Sequence, residues 1–306
     1  MRTSRSMDEL EPAPGGAVVS IGVFDGVHLG HAAILEANVN RARELGAQPT
    51  VVTFQRHPKE LLVGRAPRTL TTLEHRLELF GRCGIEHAVA LDFDEELRSL
   101  SPAEFVERVC VRGLGVRRFV LGFDSKFGKD RAGTPEWLRG AGFEVEVAPK
   151  VVIAERAVSS TAIREAVELG ELERAAQMLG RPVSVFGEVV QGRQLGRTLG
   201  FPTANLDLHH ELSPPTGVYA TWARRLASDE RLPSVTNVGF RPTVEDTRPE
   251  FPTVEVHLLD FTGQLYGEVF ELEFVTRLRP EKRFESFEEL KAQIARDAAE
   301  ARRRLL

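Results

Sequence analysis

Between Ala17 and about Gly180, short apolar runs alternate with longer segments in which apolar positions recur every three or four residues. The run AVVSIGVF predicts a buried strand, and HAAILEANVNRARELG after it predicts a helix stopped by Gly46. The pattern repeats with PTVVTF and TTLEHRLELFGRCG. HAVALDF is next, followed by SPAEFVERVCVRGLG with Ser101 as N-cap and Pro102 in the first turn. VRRFVLG adds a further strand. Strand and helix in alternation predict an α/β domain with a parallel sheet, whose ligands sit at the carboxyl ends of the strands. SSTAIREAVELGELERAAQMLG then predicts two short helices, ending at Gly180-Arg181-Pro182.

After Pro182 the rhythm changes. VSVFGEVVQG, TGVYATWARRL, LPSVTNVG, PTVEVHLLDF and EVFELEFVTRL read as strands with turn residues between them. Such a run predicts an antiparallel β-barrel. SFEELKAQIARDAAEARRRLL closes the chain as an amphipathic helix, with Ser286 as N-cap and Glu289 at the capping-box position. The expected organisation is a disordered polar tail over 1–16, an α/β domain over 17–182 and a barrel domain over 183–306.

Composition narrows the partners. The net charge of the 306 residues is −5, so no broad basic surface points to nucleic acid, and any anion site has to be built locally. Cys83 and Cys110 fall in helix-like segments away from the glycine motifs and read as core thiols. No apolar run approaches the roughly 20 residues of a membrane span, and the first residues lack the apolar core of a signal peptide. Cytoplasmic location without a membrane partner is expected, and self-association is left open.

Candidate chemistry gathers in two places. Asp25–His31 follows the first strand, which ends near Phe24. Gly26 and Gly30 allow close approach of a ligand, the following helix offers unpaired N–H groups to an anion, and His31 and His28 add donors. The alternative is a pair of solvated histidines on a loop. Ser159, Ser160 and Thr161 open a later helix with Arg164 one turn inside, a second start suited to phosphate. In the barrel segment GRQLGRTLGFPTANL, Gly196 and Gly200 punctuate a loop able to wrap an anion. Thr203 and Asn205 offer hard oxygen ligands of the kind Mg²⁺ accepts beside phosphates, or PTAN is only a turn before a strand. Glu255 lies opposite its valine neighbours in Val254-Glu255-Val256, either solvated or a base at the barrel mouth.

These motifs, taken together, resemble one family. GVFDGVHLGH, TFQRHP, LGFDSKFGKDRAG and SSTAIRE are similar to the adenylyltransferase module of the bacterial bifunctional riboflavin kinase/FAD synthetases. GRTLGFPTANL, TNVGFRPTVE, VEVHLLDF and QLYGEVFELEFVTRLRPEKRF are similar to their kinase module, in family order. The resemblance implies a Rossmann-like nucleotidyltransferase domain with an HxGH motif, followed by a riboflavin kinase barrel with a C-terminal helix. It further implies adenylation of FMN to FAD in the first domain and phosphorylation of riboflavin to FMN in the second, both with ATP and Mg²⁺. His28, His31 and Arg164 then act on the ATP phosphates in adenylation. Gly22, Phe24, Gly26, Gly30, Asp124, Ser159, Ser160 and Thr161 line that nucleotide. Gly192, Gly196, Gly200 and Pro202 bind the kinase nucleotide, Thr203 and Asn205 hold Mg²⁺, and Glu255 is the base for the riboflavin 5′-hydroxyl.

The chain departs from the family pattern at Arg56, where proline is usual, and at Ser125, where an aromatic is usual. Arg56 is either a solvated loop charge or an added contact to substrate phosphate. Pro249 and Pro252 stand where relatives are often glycine-rich. Two rival readings stay open: a riboflavin kinase with an inactive first domain, and a flavin-binding sensor without turnover.

Overall fold

The computed structural model describes residues 1–58, 61, 68–190, 201, 203–209, 211–240 and 252–306. The chain forms two compact units, Met1–Ser160 and Thr161–Leu306.

The first unit is built on a six-stranded sheet in the order β1-β4-β3-β2-β5-β6, with every neighbouring pair parallel. The strands are β1 (Arg2–Ser4), β2 (Ala17–Ile21), β3 (Gln48–Phe54), β4 (His87–Leu91), β5 (Val116–Gly122) and β6 (Val145–Ala148). Strands β2 and β4 are buried along their whole length, as a parallel sheet covered on both faces requires. Helix α1 (Leu29–Leu45) ends at Gly46 in the left-handed conformation. Leu35 of α1 packs with Phe24, Val51 and Phe80 of α2 (Leu73–Arg82) in one core cluster. A second cluster joins Val19, Ile21, Val89 and Phe119 to Leu97 of α3 (Glu95–Ser99) and Phe105 of α4 (Pro102–Phe105). Ser101 and Glu104 close the capping box of α4, and the chain continues as a π-helical turn over Val106–Gly113. Cys110 is fully buried in that turn, and burial pushes its thiol far up, so it behaves as a core group. Helix α5 (Pro135–Gly140) precedes β6.

The first residues differ from the expected loose tail. Arg2–Ser4 adds a strand beside β4, with the Arg2 amide donating to Glu86 O at 2.8 Å. Ser4 is buried and its Oγ lies 3.0 Å from His87 Nε2. The physical reason is edge pairing. A polar three-residue segment satisfies an open strand edge through its backbone, and an apolar pattern does not register that. Strand β6 and the hairpin of β7 (Val152–Ile153) with β8 (Arg156–Ala157) are likewise additions to the sequence reading.

The second unit begins one residue into α6 (Ser160–Glu168), continues through α7 (Leu172–Leu179), and then closes a barrel in the order β10-β13-β12-β11-β14-β9. All neighbours are antiparallel. The strands are β9 (Val183–Val190), β10 (Ala204–Asp207), β11 (Gly217–Arg225), β12 (Arg231–Gly239), β13 (Thr253–Leu258) and β14 (Val269–Arg279). Val189, Leu206, Val256, Leu258, Phe270 and Leu272 converge on the interior. The final helix α8 (Phe287–Leu305) is capped by Ser286 and lays Ala298 and Ala301 on Val218, Ala220 and Val235, on the outer face of β11 and β12.

His87 makes the first unit sensitive to acid. Burial, helped by the charge of Arg2, lowers its pKa from 6.5 to about 4. The unfolded chain therefore binds more protons between those values, so stability is complete above pH 6.5 and falls as the pH drops toward 4. Urea midpoints measured across this range should fall in the wild type and flatten in His87→Gln.

Candidate active sites

The first site lies at the carboxyl end of β2, between β3 and β5. The loop from Gly22 to His28 carries three residues with positive φ: Phe24 at 53°, Gly26 at 82° and Val27 at 36°. For the two non-glycine residues this costs about 1–3 kcal/mol each and persists only under strong surrounding restraint. Gly26 is required on steric grounds too, since a Cβ there would lie 2.7 Å from the Leu70 side chain. His28 is the N-cap of α1, its Nδ1 accepting the His31 amide at 3.3 Å. A neutral His28 consequently carries its proton on Nε2. The two imidazoles stack with centroids 3.6 Å apart and planes 14° apart, and Phe24 meets His31 edge-on at 5.2 Å. A Cβ at Gly30 would stand 3.2 Å from the His28 ring. The spacing His-x-Gly-His thus acquires a local reason: the first histidine caps, the glycine clears its ring, and the second stacks on it.

The Ser160 hydroxyl donates to Asp25 O at 2.9 Å. Ser159 precedes it, while Thr161 and Arg164 follow in α6 within the second unit. Asp124 is exposed just past the end of β5, and the Ser125 hydroxyl accepts the Gly122 amide at 3.0 Å. Serine at the usual aromatic position therefore closes a turn. Arg56 is exposed at a cavity of about 270 Å³ that is also lined by His57, Asp92, Phe93 and Asp94.

The second site forms on the outer face of the barrel. Asn205 of β10 sits opposite Glu255 of β13, and Glu255 sits opposite Asn237 of β12. Two residues along β13, His257 faces Val235, which packs under α8. Glu255 therefore points away from the barrel interior and toward the helix. A cavity of about 300 Å³ opens there, lined by Thr203, Asn237, Glu255, His257, Phe284 and Asp297 among others. A second cavity, about 350 Å³ between β10, β13 and the 261–266 turn, shares Thr203 with the first.

The helix is tied to this wall by Arg279, whose guanidinium donates to both carboxylate oxygens of Asp297 at 2.8–3.1 Å. Gln293 adds a donor to Asp297 at 2.8 Å. The cations of Arg279 and Lys282 lie 5.7 and 4.7 Å from the ring centroid of Phe284. Glu281 accepts the Asn237 amide at 3.4 Å. Sequence reasoning passed over Asn237, His257, Arg279, Phe284 and Asp297. The one available signal was the charged run RLRPEKRF between a strand and an amphipathic helix.

Thr203, just before β10, and Asn205 on it carry hard oxygen donors, beside Glu255 on the neighbouring strand. That set suits Mg²⁺, which takes few protein ligands and completes its shell with phosphate and water. Among the described residues, no group of three or more His, Cys, Asp or Glu side chains is placed to hold a metal ion. Gly192, Gly196, Gly200, Pro202 and Pro249 lie outside the described residues.

With this geometry in place, comparison with known proteins is decisive. A family model for FAD synthetase matches residues 10–162, and one for riboflavin kinase matches 179–305. The bifunctional riboflavin kinase/FMN adenylyltransferase of Pseudomonas fluorescens is 40% identical over 306 residues, spanning 99% of this chain and 97% of its own. The Escherichia coli K12 protein of the same name is 39% identical over 308 residues, with the same coverage. The chain belongs to the bifunctional riboflavin kinase/FMN adenylyltransferase family. A crystal structure of a macrolide-efflux protein from Streptococcus pneumoniae is also similar, with a TM-score of 0.81, 30% identity and 98% of each chain covered. No helix among the described residues of this family member is long and apolar enough to cross a membrane.

The Arg279–Asp297 pair predicts a stability effect. Asp297→Ala leaves a guanidinium without its carboxylate beside the packed face of an amphipathic helix. The expected loss is about 2–3 kcal/mol, under the range for a fully buried pair because the Arg279 side chain stays 18% exposed. Urea unfolding followed through the second unit should show it, and Arg279→Met combined with Asp297→Leu should restore most of it.

Proposed function

We propose that this chain phosphorylates riboflavin to FMN in its barrel and adenylates FMN to FAD in its α/β domain, with ATP as co-substrate in both steps. The observation that carries the reading is membership of the bifunctional family along the full chain, joined to one polar constellation at the start of α1 and another beneath α8. The adenylyltransferase domain is taken as 17–182 and the kinase domain as 183–306.

In adenylation, a phosphate oxygen of FMN attacks the α-phosphorus of ATP and the bond to the β-phosphate breaks, releasing pyrophosphate. His28 offers Nε2–H, since its Nδ1 is committed to the helix cap. His31, the amides opening α1, and Arg164 neutralise charge on the departing pyrophosphate. Gly22, Phe24, Gly26, Gly30, Asp124, Ser159, Ser160 and Thr161 line the nucleotide.

In phosphorylation, the 5′-hydroxyl of riboflavin attacks the γ-phosphorus and ADP leaves. Glu255 takes the hydroxyl proton as the new bond forms. Its cavity beneath α8 has aromatic and apolar walls suited to the flavin, and the cavity sharing Thr203 suits ATP. Thr203 and Asn205 would hold Mg²⁺, which neutralises phosphate charge when bound. Gly192, Gly196, Gly200 and Pro202 would wrap the phosphates. The partners are the small molecules riboflavin, FMN and ATP, and ATP dependence together with a net charge of −5 favours a cytoplasmic enzyme that binds neither nucleic acid nor membrane.

The test is a time course of purified protein with riboflavin and Mg·ATP, in which FMN should rise and then convert to FAD. FMN that persists without FAD would leave a kinase alone, and bound flavin without product would leave a sensor.

The two chemistries should separate by mutation. His28→Ala or His31→Ala should slow FAD formation by about 10²–10³ while riboflavin phosphorylation stays near normal. Glu255→Gln should do the reverse, lowering kinase turnover by about 10²–10⁴ with riboflavin affinity preserved, because glutamine keeps the size but accepts no proton. Arg56→Pro should change the FMN Michaelis constant by less than about tenfold, or 1.4 kcal/mol. A larger change would make Arg56 a substrate contact.

A further inference from the structure

We propose that Asp25 is the positioning residue of the adenylyl-transfer site, a claim that rests on the adenylation reading above. Asp25 is buried, with only 3% of the residue exposed. Asp25 Oδ1 accepts the backbone amides of Leu70 at 2.9 Å and Thr71 at 3.1 Å, with the Thr71 hydroxyl at 3.4 Å. The same threonine hydroxyl accepts the Gly26 amide at 2.9 Å. On the main-chain side, Asp25 O accepts the Ser160 hydroxyl at 2.9 Å. One residue thus fastens three stretches: the loop itself, the 70–71 segment and the start of α6.

The fastening explains how the loop holds its shape. Phe24 and Val27 both adopt left-handed backbone, on either side of the Asp25–Gly26 pair. Left alone, each would relax to negative φ, and His28, one residue after Val27, would turn with it. Upstream, Arg76 donates to Val23 O at 2.5 Å and Phe54 O at 2.9 Å, so the strand end is already fixed. Asp25 fixes the remaining degree of freedom, the direction in which the chain enters α1. Three consequences depend on that entry: the His28 cap, the stacking of His31 and the aim of the helix amides.

The experiment uses the full chain with Asp25→Ala, Asp25→Asn and Thr71→Val. FAD formation from FMN and Mg·ATP is measured beside riboflavin phosphorylation, and the ¹⁵N imidazole spectrum of His28 is recorded without nucleotide. Asparagine keeps an acceptor oxygen for the two amides, so Asp25→Asn should retain FAD formation within about threefold and keep the Nε2–H tautomer of His28. Asp25→Ala should lower FAD formation by about 10²-fold and Thr71→Val by about tenfold, as misplacement of a catalytic group does, and both should give mixed tautomers at His28. Kinase activity should stay level in all three. Should Asp25→Ala not fold, the other two variants carry the test. The proposal is overturned if Asp25→Ala or Thr71→Val keeps both FAD formation and the His28 tautomer. It is equally overturned if Asp25→Asn loses as much as Asp25→Ala. A wild-type chain that makes no FAD would remove the adenylation reading, and the His28 spectra would still decide whether Asp25 positions the loop.

Discussion

A chain of net charge −5 that handles polyphosphates has to make its positive potential locally, from backbone amides and a few aimed donors. In the first unit this requirement converges on the start of α1. Four N–H groups lack partners at any helix start, and here His28 takes one of them through Nδ1, which places the proton of the neutral ring on Nε2. A serine cap would satisfy the same amide and leave no such donor. The capping geometry and the proposed chemistry therefore depend on one side chain, held by a loop whose backbone is strained at Phe24 and Val27.

The barrel meets a different constraint. Its interior is packed with Val189, Leu206, Val256, Leu272 and their neighbours. Its polar candidates Asn205, Asn237 and Glu255 stand on the alternate, outward residues of β10, β12 and β13. An outer strand face is normally open to water, where a glutamate would have little catalytic leverage. Helix α8 changes that by covering part of the face and turning it into the wall of a cavity. The charged pair Arg279–Asp297 holds the helix at that wall, so the C-terminal helix shapes the proposed kinase cavity as much as the strands do.

Much of this was legible in the residues. The alternation of AVVSIGVF with HAAILEANVNRARELG determined an α/β domain, because side-chain periods of two and about 3.6 follow from backbone geometry alone. The period-two runs after Pro182 determined an antiparallel barrel for the same reason. Ser101, Ser286 and Gly46 marked helix ends through local hydrogen bonds and left-handed backbone, which need no distant partner. His28, His31, Thr203, Asn205 and Glu255 stood out because long motifs keep their order along the chain. Tertiary structure alone decided the rest. Arg2–Ser4 became a strand because β4 had an open edge, a fact about a neighbour 83 residues away. Glu255 came to face a cavity, and not solvent, because a helix more than 30 residues later lies across the barrel. Asp25 is unremarkable as a letter in GVFDGVHLGH, and it acquires its place only when the Leu70 and Thr71 amides arrive beside it. Local pattern determines which elements form, since the forces involved act within a few residues. Which polar groups meet is set by long-range contacts between elements, and those distances exist only in the folded chain.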